Sequence, residues 1–329
     1  MVNFILPKIS PIPKDTEFTG KYAVITGASS GLGLEVTRQL LRMHASSVIL
    51  AVRNVAKGEA CAETLRQECD TQNQSPKSII KVMELDMDRY DSVQRFAKQL
   101  REEIPVVDLL ILNAGIGLWN LERSSTGHER TIQVNYYSNV LLIAELLPYL
   151  EAGAETTGSP ARISWVGSRA HEMSSLDKVP IEAGGEILEN MDKDEAFTSF
   201  QRYGDSKLLC ALFMYSLAPR LDPKKVIINM VCPGMVNTSM SDVLPIHLRL
   251  IMIAVKAMRA RSVEVGGWII LNGALVAGPE SHGKFLKDKA IADKSRYISS
   301  PAGQEAQKKL WGETIAEMSK LTSLPVEFQ

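Results

Sequence analysis

Short apolar runs alternate along this chain with longer segments in which apolar residues return every three or four positions. Apolar runs of four to eight residues that end at glycine or proline are typical of strands buried in a parallel sheet. The strands predicted in this way are Tyr22–Thr26, Val48–Val52, Ile79–Leu85, Val107–Leu112, Ala161–Val166 and Val226–Val231. The helices predicted between them are Leu32–His44, a segment capped by Asn54 that runs towards Glu68, Asp91–Glu103, much of Glu129–Leu150, and Tyr203–Leu217.

This alternation predicts βαβ units with right-handed crossovers, and therefore an α/β fold with a doubly wound parallel sheet, the Rossmann fold. We expect a single domain over residues 21–329, preceded by an extended lead-in at residues 1–20 that is punctuated by prolines. Residues 286–329 form a C-terminal extension of that domain.

Two connections are longer than the others. Residues 169–202 contain Gly184-Gly185 and scattered acidic residues, and residues 235–261 contain an apolar amphipathic stretch. Both follow the carboxyl ends of predicted strands, where ligands bind in open α/β sheets. We expect residues 235–261 to form a substrate lid, with one more core helix as the alternative, and residues 169–202 to be a substrate loop or a surface elaboration. The apolar lid residues favour a hydrophobic substrate and are Met240, Leu244, Ile246, Leu250, Ile251, Met252, Ile253 and Met258.

Composition excludes several classes of function. The chain has 329 residues and a formal net charge of -1, which gives no electrostatic case for binding nucleic acid. Its four cysteines have no metal-ligand spacing, so we expect no metal site. The N-terminus lacks the order of features of a signal peptide, and the most apolar stretch is interrupted by charged residues. The expectation is a cytoplasmic protein without a transmembrane segment.

The turn after the first strand has the pattern Gly27-x-x-x-Gly31-x-Gly33 and opens a helix. Glycines allow the backbone to approach a pyrophosphate closely, and a helix N-terminus supplies free N–H groups. We therefore predict a dinucleotide site at this turn, with Ser29, Ser30 and Leu32 as its other contacts.

The end of the second strand carries Val52-Arg53, where an enzyme that prefers NAD commonly has an acidic residue. A guanidinium can pair with the 2′-phosphate of NADP(H), so we predict NADP(H) as the cofactor; the alternative is that Arg53 is a solvated charge. Asp86, after the third strand, is a candidate for the adenine edge or for capping the next turn. Asn54 and Met87 are assigned to the same cofactor pocket.

Tyr203 and Lys207 form a Tyr-x-x-x-Lys pair, which places a phenol and an ammonium one helical turn apart on one face. A free phenol has a pKa of about 10. An ammonium about 4 Å away contributes about 4 kcal/mol at an effective dielectric near 20. Lys207 is therefore expected to lower the pKa of the Tyr203 hydroxyl and to fit it for proton transfer near neutral pH.

The chain resembles the short-chain dehydrogenase/reductase family from about Gly20 to Gly234, with a more variable tail. The segments that carry the resemblance are Thr26–Gly33, Asn113-Ala114-Gly115, Val134-Asn135, Gly167-Ser168, Tyr203–Lys207 and Cys232–Thr238. Ala51–Asn54 and Ser168–His171 are similar to the retinol-dehydrogenase-like and WW-domain-oxidoreductase-like branch. The tail around Ser299–Gln304 resembles reductases of fungal secondary metabolism. Trp165 departs from the family, which commonly has a smaller residue there.

The resemblance implies a catalytic tetrad. Tyr203 would be the acid and base, and Lys207 would also hold the nicotinamide ribose. Ser168 would stabilise the carbonyl oxygen of the substrate, and Asn135 would position a relay water. The resemblance adds further cofactor contacts at Asn113, Ala114, Gly115, Pro233, Gly234, Val236 and Thr238. His171, close to Ser168, is either a loop residue or a substrate contact.

The function expected from these features is an NADPH-dependent reductase, or the reverse NADP-dependent dehydrogenase, acting on a ketone or aldehyde of a hydrophobic small molecule in secondary metabolism. Two alternatives remain open. One is a non-redox isomerase, dehydratase or cyclase on the same NADP(H)-binding fold. The other is an NADP(H)-binding interaction protein. Homo-oligomers are common in the family, and the extended tail could block one interface.

Overall fold

The structure is a computed structural model that describes residues 7–71, 78–178, 185–199, 201–238 and 242–329. Residues 1–6 of the lead-in, Gly184 of the long connection and Met240 of the candidate lid lie outside the described residues.

Eight strands form one sheet in the order β3-β2-β1-β4-β5-β6-β7-β8. All neighbouring strands are parallel except β7 and β8, which pair antiparallel at one edge. The order reverses between β1 and β4, which is the switch point of a doubly wound sheet and the place where such sheets bind ligands. The strands are β1 (Tyr22–Thr26), β2 (Ser47–Val52), β3 (Ile79–Glu84), β4 (Leu109–Leu112), β5 (Ala161–Val166), β6 (Val226–Cys232), β7 (Phe285–Lys287) and β8 (Ala290–Ala292).

Helices cover both faces of the sheet. Buried residues of α3, α5, α7 and α11 share one core cluster, and those of α1, α2 and α9 share the other. The helices are α1 (Gly31–Arg42), α2 (Val55–Thr71), α3 (Tyr90–Glu103), α4 (Arg130–Ile132), α5 (Ser138–Thr157), α6 (Ile187–Met191), α7 (Arg202–Leu217), α8 (Ile246–Arg259), α9 (Val263–Leu271), α10 (Arg296–Ser299) and α11 (Pro301–Met318). The Rossmann fold is therefore confirmed, and the six predicted strands match β1 to β6 within two residues at either end.

The β7–β8 hairpin lies beyond the predicted strands. Each strand has three residues, and the two-residue turn between them, Asp288 and Lys289, has φ of 52° and 69°. Positive φ at both central positions suits the right-handed twist of a hairpin, and it favours pairs such as Asn-Gly or Asp-Gly. Asp288 fits the first position, but Lys289 stands where the glycine is usual, so the turn lacked the pair that normally reveals it.

The C-terminal helix α11 packs along α7, and an aromatic cluster joins them. Phe213 of α7 stacks on Trp311 of α11 with ring centroids 5.5 Å apart, and Phe328 lies 5.8 Å from both rings. Trp165, the departure from the family pattern, is fully buried and meets Phe213 edge to face. The outer side of α7 is thus covered by the protein's own tail.

Described parts of the long connection at residues 169–202 also pack on α11. The Glu313 carboxylate of α11 accepts hydrogen bonds from the backbone N–H groups of Ile187 and Leu188, at 2.9 and 2.7 Å. Burial raises the pKa of Glu313 to about 7, against the opposing effect of these two hydrogen bonds. The first turn of α6 is therefore capped by a side chain from the C-terminal extension.

Helix α8 differs from every helix of the core, because none of its residues is buried. In the sequence, α8 lies between β6 and α9. Because none of its residues is buried, the alternative of one more core helix is wrong for this segment. The role of residues 235–261 as a substrate lid stays a prediction.

Candidate active site

The phenol and the ammonium of the Tyr-x-x-x-Lys pair lie on the first turns of α7. The Lys207 Nζ lies 5.6 Å from the centroid of the Tyr203 ring and donates a 2.9 Å hydrogen bond to the carbonyl oxygen of Val166, the last residue of β5. Lys207 is buried, whereas Tyr203 is half-buried. The Lys207 ammonium is therefore held at the carboxyl end of β5, while the Tyr203 side chain is partly exposed.

Asn135 lies on a π-helical turn, Gln133–Tyr137, that interrupts the regular helix pattern between α4 and α5. Such turns are rare and are often found at functional sites. The Asn135 Oδ1 accepts from the backbone N–H of Ile116 at 2.8 Å. Its Nδ2 donates to the carbonyl oxygen of Ile116 at 2.8 Å and to Ser206 Oγ at 2.9 Å. Asn135 thereby joins the segment after β4 to α7, and Ser206 is a contact of Asn135 that the motif did not reveal.

Two glycines after β4 let these groups approach each other. A Cβ on Gly115 would lie 3.1 Å from Asn135 Oδ1 and 3.6 Å from Lys207 Nζ. A Cβ on Gly117 would lie 3.2 Å from Cδ2 of the Tyr203 ring. The structure thus brings Asn135, Tyr203 and Lys207 around one stretch of backbone at the carboxyl end of β4.

Ser168 follows the end of β5 and caps a short 3-10 helix, Arg169–Met173, through a 3.1 Å bond from the N–H of Ala170 to its Oγ. This short helix packs on α7 so closely that a Cβ on Gly204 would lie 2.6 Å from the Ala170 carbonyl oxygen. Ser168 therefore lies beside the first turn of the helix that carries Tyr203.

His171 is buried, with its Nδ1 at 2.7 Å from the carbonyl oxygen of Ser168 and its ring edge to face with Phe285 of β7. Burial lowers the pKa of His171, against the opposing effect of that hydrogen bond, so the neutral imidazole with a proton on Nδ1 is favoured. The structure therefore shows His171 hydrogen-bonded to the backbone of Ser168 and packed against Phe285.

The glycine turn has the geometry that a dinucleotide needs. Gly27 has φ of +68°, and a Cβ on Gly33 would lie 2.6 Å from both Asn113 Nδ2 and the Gly27 carbonyl oxygen. Ser30 is the N-cap residue of α1, but its side chain makes no capping hydrogen bond to the backbone N–H groups of the first turn. The turn is therefore a narrow backbone cradle facing a helix start, which fits a pyrophosphate.

Asn113 and Ala114 hold that cradle in place. The Asn113 Nδ2 donates to the carbonyl oxygen of Thr26 at 2.9 Å, and the N–H groups of Asn113 and Ala114 both donate to Thr26 Oγ1 at 2.9 Å. The predicted cofactor residues at the end of β4 thus fix the end of β1, where the glycine turn begins.

The segment after β6 closes on the same turn. The Thr238 methyl group would lie 3.5 Å from a Cβ on Gly31, and Leu32 packs against Gly266 of α9. Arg261, which is buried, donates from Nη1 to the Pro233 carbonyl oxygen at 3.3 Å and pairs with Asp288 at 2.6 Å. Val236 forms a parallel bridge with Arg261. Pro233, Gly234 and Val236 are therefore positioned by an arginine that the sequence motifs missed.

The remaining predicted cofactor residues lie at the ends of β2 and β3. Arg53 is exposed, and within the described ranges its guanidinium has no hydrogen-bonded or ionic partner. Asn54 caps α2 as expected, accepting from the N–H of Lys57 at 2.8 Å. Asp86 Oδ1 accepts from the N–H of Asp88 at 3.1 Å, which is the turn-capping alternative. The carbonyl oxygen of Met87 accepts from Ser138 Oγ.

The described ranges also bear on metal sites and on membrane-spanning helices. No group of three or more His, Cys, Asp or Glu side chains is arranged to hold a metal ion there. No helix in the same ranges is both long and apolar enough to span a bilayer.

Comparisons with known proteins show which family the chain resembles. The family profile described as short chain dehydrogenase matches residues 21–178. The chain is 73% identical to the short chain dehydrogenase macD of Penicillium terrestre and 70% identical to the short chain dehydrogenase yanD of Aspergillus niger, each over the full length of both proteins. It is 66% identical to the short-chain dehydrogenase/reductase tropG of Talaromyces stipitatus, over 99% of each.

Solved structures show the same fold. A crystal structure of an uncharacterized protein from Mycobacterium paratuberculosis superimposes with a TM-score of 0.68 at 26% identity, covering 94% of this chain and 97% of that one. The Pseudomonas aeruginosa RhlG/NADP active-site complex superimposes with a TM-score of 0.59 at 24% identity, covering 83% of this chain and 96% of that one.

Proposed function

Because the chain belongs to the short chain dehydrogenase family, we propose that it is an NADPH-dependent reductase of a ketone or aldehyde on a hydrophobic small molecule, or the reverse dehydrogenase. The observation that carries this proposal is the assembly of Tyr203, Lys207 and Asn135 around Gly115 and Gly117, next to the glycine cradle. Carbonyl reduction needs a proton donor, a cation that stabilises the phenolate, and a dinucleotide site. Here a phenol, an ammonium and the glycine cradle lie together at the carboxyl ends of neighbouring strands.

The cofactor, when bound, supplies the hydride. The alkoxide left on the substrate needs a proton, which the Tyr203 hydroxyl would donate in reduction and accept in oxidation. Lys207 would stabilise the phenolate and hold the hydroxyls of the nicotinamide ribose. Ser168 would donate a hydrogen bond to the substrate oxygen as negative charge develops there. For Asn135 we propose the positioning of a relay water, while Ile116 and Ser206 fix its side chain.

NADP(H) rather than NAD(H) is proposed on the position of Arg53. It follows β2, it is exposed, and it lies next to the capped start of α2. A guanidinium there is available to a 2′-phosphate, and the acidic residue that would bond a ribose 2′-hydroxyl is missing from the end of β2.

A hydrophobic substrate is proposed on the character of the segments beside the site. The half-buried side of α8 presents Leu248, Met252 and Val255, and Met173 and Met235 are largely exposed. Methionines adapt to irregular apolar shapes. A role in secondary metabolism is proposed on the tail that resembles fungal reductases of that kind and on the high identity to fungal short chain dehydrogenases.

The test is NADPH oxidation with a panel of hydrophobic ketones and aldehydes. Tyr203→Phe is expected to abolish turnover while NADPH binding, followed by fluorescence, remains. Tyr215→Phe is the matched control, since Tyr215 is another tyrosine of α7, and it should keep most of the activity.

Unchanged turnover in Tyr203→Phe would overturn the catalytic assignment. Product formed without a stoichiometric change in nicotinamide absorbance would favour an isomerase, dehydratase or cyclase instead.

A further inference from the structure

Helix α8 carries an apolar surface that points away from the protein. Ile246, Leu250 and Ile253 recur at helical spacing and are 70, 61 and 55% exposed. Ile251 and Met258 are 60 and 75% exposed and lie on the flank of this row, about a quarter of a turn around the helix from Leu250. Exposed apolar side chains that occur singly are ordinary, but a contiguous set on one helix indicates an interaction surface.

This outward side is distinct from the side that faces the protein. Leu248, Met252 and Val255 recur with the same helical spacing and are only partly exposed. Position 248 lies two residues after position 246, so the two rows are on opposite sides of the helix. Closure of α8 over a substrate would use the inner row. The outer row would remain in water, and the lid hypothesis leaves it unexplained.

The charges of α8 are all of one sign. Ile246–Arg259 contains Arg249, Lys256 and Arg259 and no acidic residue. Asp242, just before the helix, lies 3.5 Å from Arg249. An amphipathic helix with Lys and Arg beside an exposed apolar side fits a surface that offers both apolar depth and negative charge.

We propose that the outward side of α8 docks on an anionic lipid bilayer, with the helix lying in the plane of the headgroups. The helix has 14 residues, so at 1.5 Å per residue it is about 21 Å long, shorter than the ~30 Å apolar thickness of a bilayer. It therefore binds the interface rather than crossing it. The docking itself is independent of the proposed reductase activity.

The same charges disfavour a second copy of the chain as the occupant. A two-fold contact places the same patch of both subunits face to face. Two α8 helices would then bring their cations together with no acidic residue between Ile246 and Arg259 to offset them. Like charges opposed in an interface are repulsive, whereas anionic headgroups are complementary to every charged group of this helix.

Docking would place the bilayer next to the cofactor cradle. Lys256 Nζ donates to the carbonyl oxygen of Thr238 at 2.5 Å, and Thr238 adjoins the glycine turn at Gly31. A substrate dissolved in lipid would then reach the site without passing through water. This last consequence rests on the proposed function, while the docking does not.

The experiment is flotation of the full-length protein with vesicles of phosphatidylcholine alone and with vesicles that also contain phosphatidylserine. We expect binding to the second kind, weakening as salt is raised. Arg249→Gln with Arg259→Gln should weaken it by roughly five-fold for each cation removed. Leu250→Gln with Ile251→Gln should weaken it by about ten-fold or more.

The matched control is Ile79→Gln with Val326→Gln, since these residues are 60 and 70% exposed but lie away from α8. This control should bind vesicles as the unaltered protein does, and circular dichroism should show that all variants are folded. Failure of the unaltered protein to bind phosphatidylserine vesicles at low salt would overturn the proposal. So would equal binding by the Leu250/Ile251 variant, or a dimer in analytical ultracentrifugation that this variant abolishes without any vesicle binding.

Discussion

Stability is expected to fall with rising pH because of one half-buried imidazole, His128. Its Nδ1 lies 2.7 Å from Asp192 of the 169–202 connection, and its Nε2 lies 3.6 Å from Glu317 of α11. The ring also stacks on Tyr137, with centroids 4.2 Å apart. Three segments distant in sequence therefore meet at a single titratable group.

The magnitude follows from the pKa of His128. Burial lowers this pKa, but the hydrogen bond to Asp192 and the ion pair with Glu317 outweigh burial and raise it from 6.5 to about 9. The opposite shift occurs at Glu317, whose pKa the ion pair with His128 lowers to about 2. A rise of this size corresponds to about 3 kcal/mol of stability, to order of magnitude.

The sign follows from linkage. The folded protein binds the His128 proton more tightly than the unfolded chain does. Its contribution is therefore complete below pH 6.5, falls as pH rises, and is gone above about pH 9. Glu317 acts in the other direction, since its contribution is present above pH 4.5 and is lost as pH falls towards about 2. Between pH 4.5 and pH 6.5, therefore, both His128 and Glu317 are charged in the folded and the unfolded protein, and their ion pair contributes fully to stability.

The assay is urea unfolding of the unaltered protein and of His128→Gln, compared at about pH 6 and about pH 9.5. The difference in free energy of unfolding should be about 3 kcal/mol larger at the lower pH. Glu313, whose pKa is raised to about 7, titrates in both proteins and cancels from this difference. His247→Gln, at an exposed position of α8, controls for loss of an imidazole as such. A difference that does not change with pH would refute the reasoning.

Three further outcomes follow from the structure. Arg53→Asp should weaken NADPH binding by about ten-fold or more, as expected for a lost charge-assisted bond, and NADH binding much less; equal loss in fluorescence titrations would contradict the 2′-phosphate role. Gly117→Ala places a Cβ 3.2 Å from the Tyr203 ring and should lower kcat several-fold with little change in NADPH affinity; an unchanged kcat would show that the ring moves without cost. Phe328→Ala removes a fully buried ring of the α7–α11 cluster and should cost about 3–5 kcal/mol in urea unfolding; a cost below about 1 kcal/mol would mean that the tail contributes little to stability.

Much of the fold could be predicted because β1 to β6 are apolar runs bounded by recognisable turns. The β7–β8 hairpin could not, since its strands are three residues long and its turn is Asp288-Lys289. The pattern also indicated an amphipathic stretch within residues 235–261. It could not show which of the two apolar rows of α8 faces the protein.

The candidate site, too, could be predicted from the sequence only in part. Asn135, Tyr203 and Lys207 converge as the motif order predicts, because the ends of neighbouring parallel strands meet at one edge. Arg261 and Ser206 were missed because the groups they bind, Pro233 and Asn135, are 28 and 71 residues away in the chain. Such contacts depend on packing between elements, and no local pattern encodes them.

The cover of α11 over α7 has a consequence for quaternary structure. The helix with Tyr203 and Lys207 has the sheet on one side and the C-terminal aromatic cluster, Trp311 and Phe328, on the other. Among the described residues, every residue of Arg202–Leu217 except Tyr203 is buried, so this part of the structure leaves no exposed face of α7 for another subunit. This helix is therefore supported from within one polypeptide, and we expect turnover per molecule to stay constant when the enzyme is diluted.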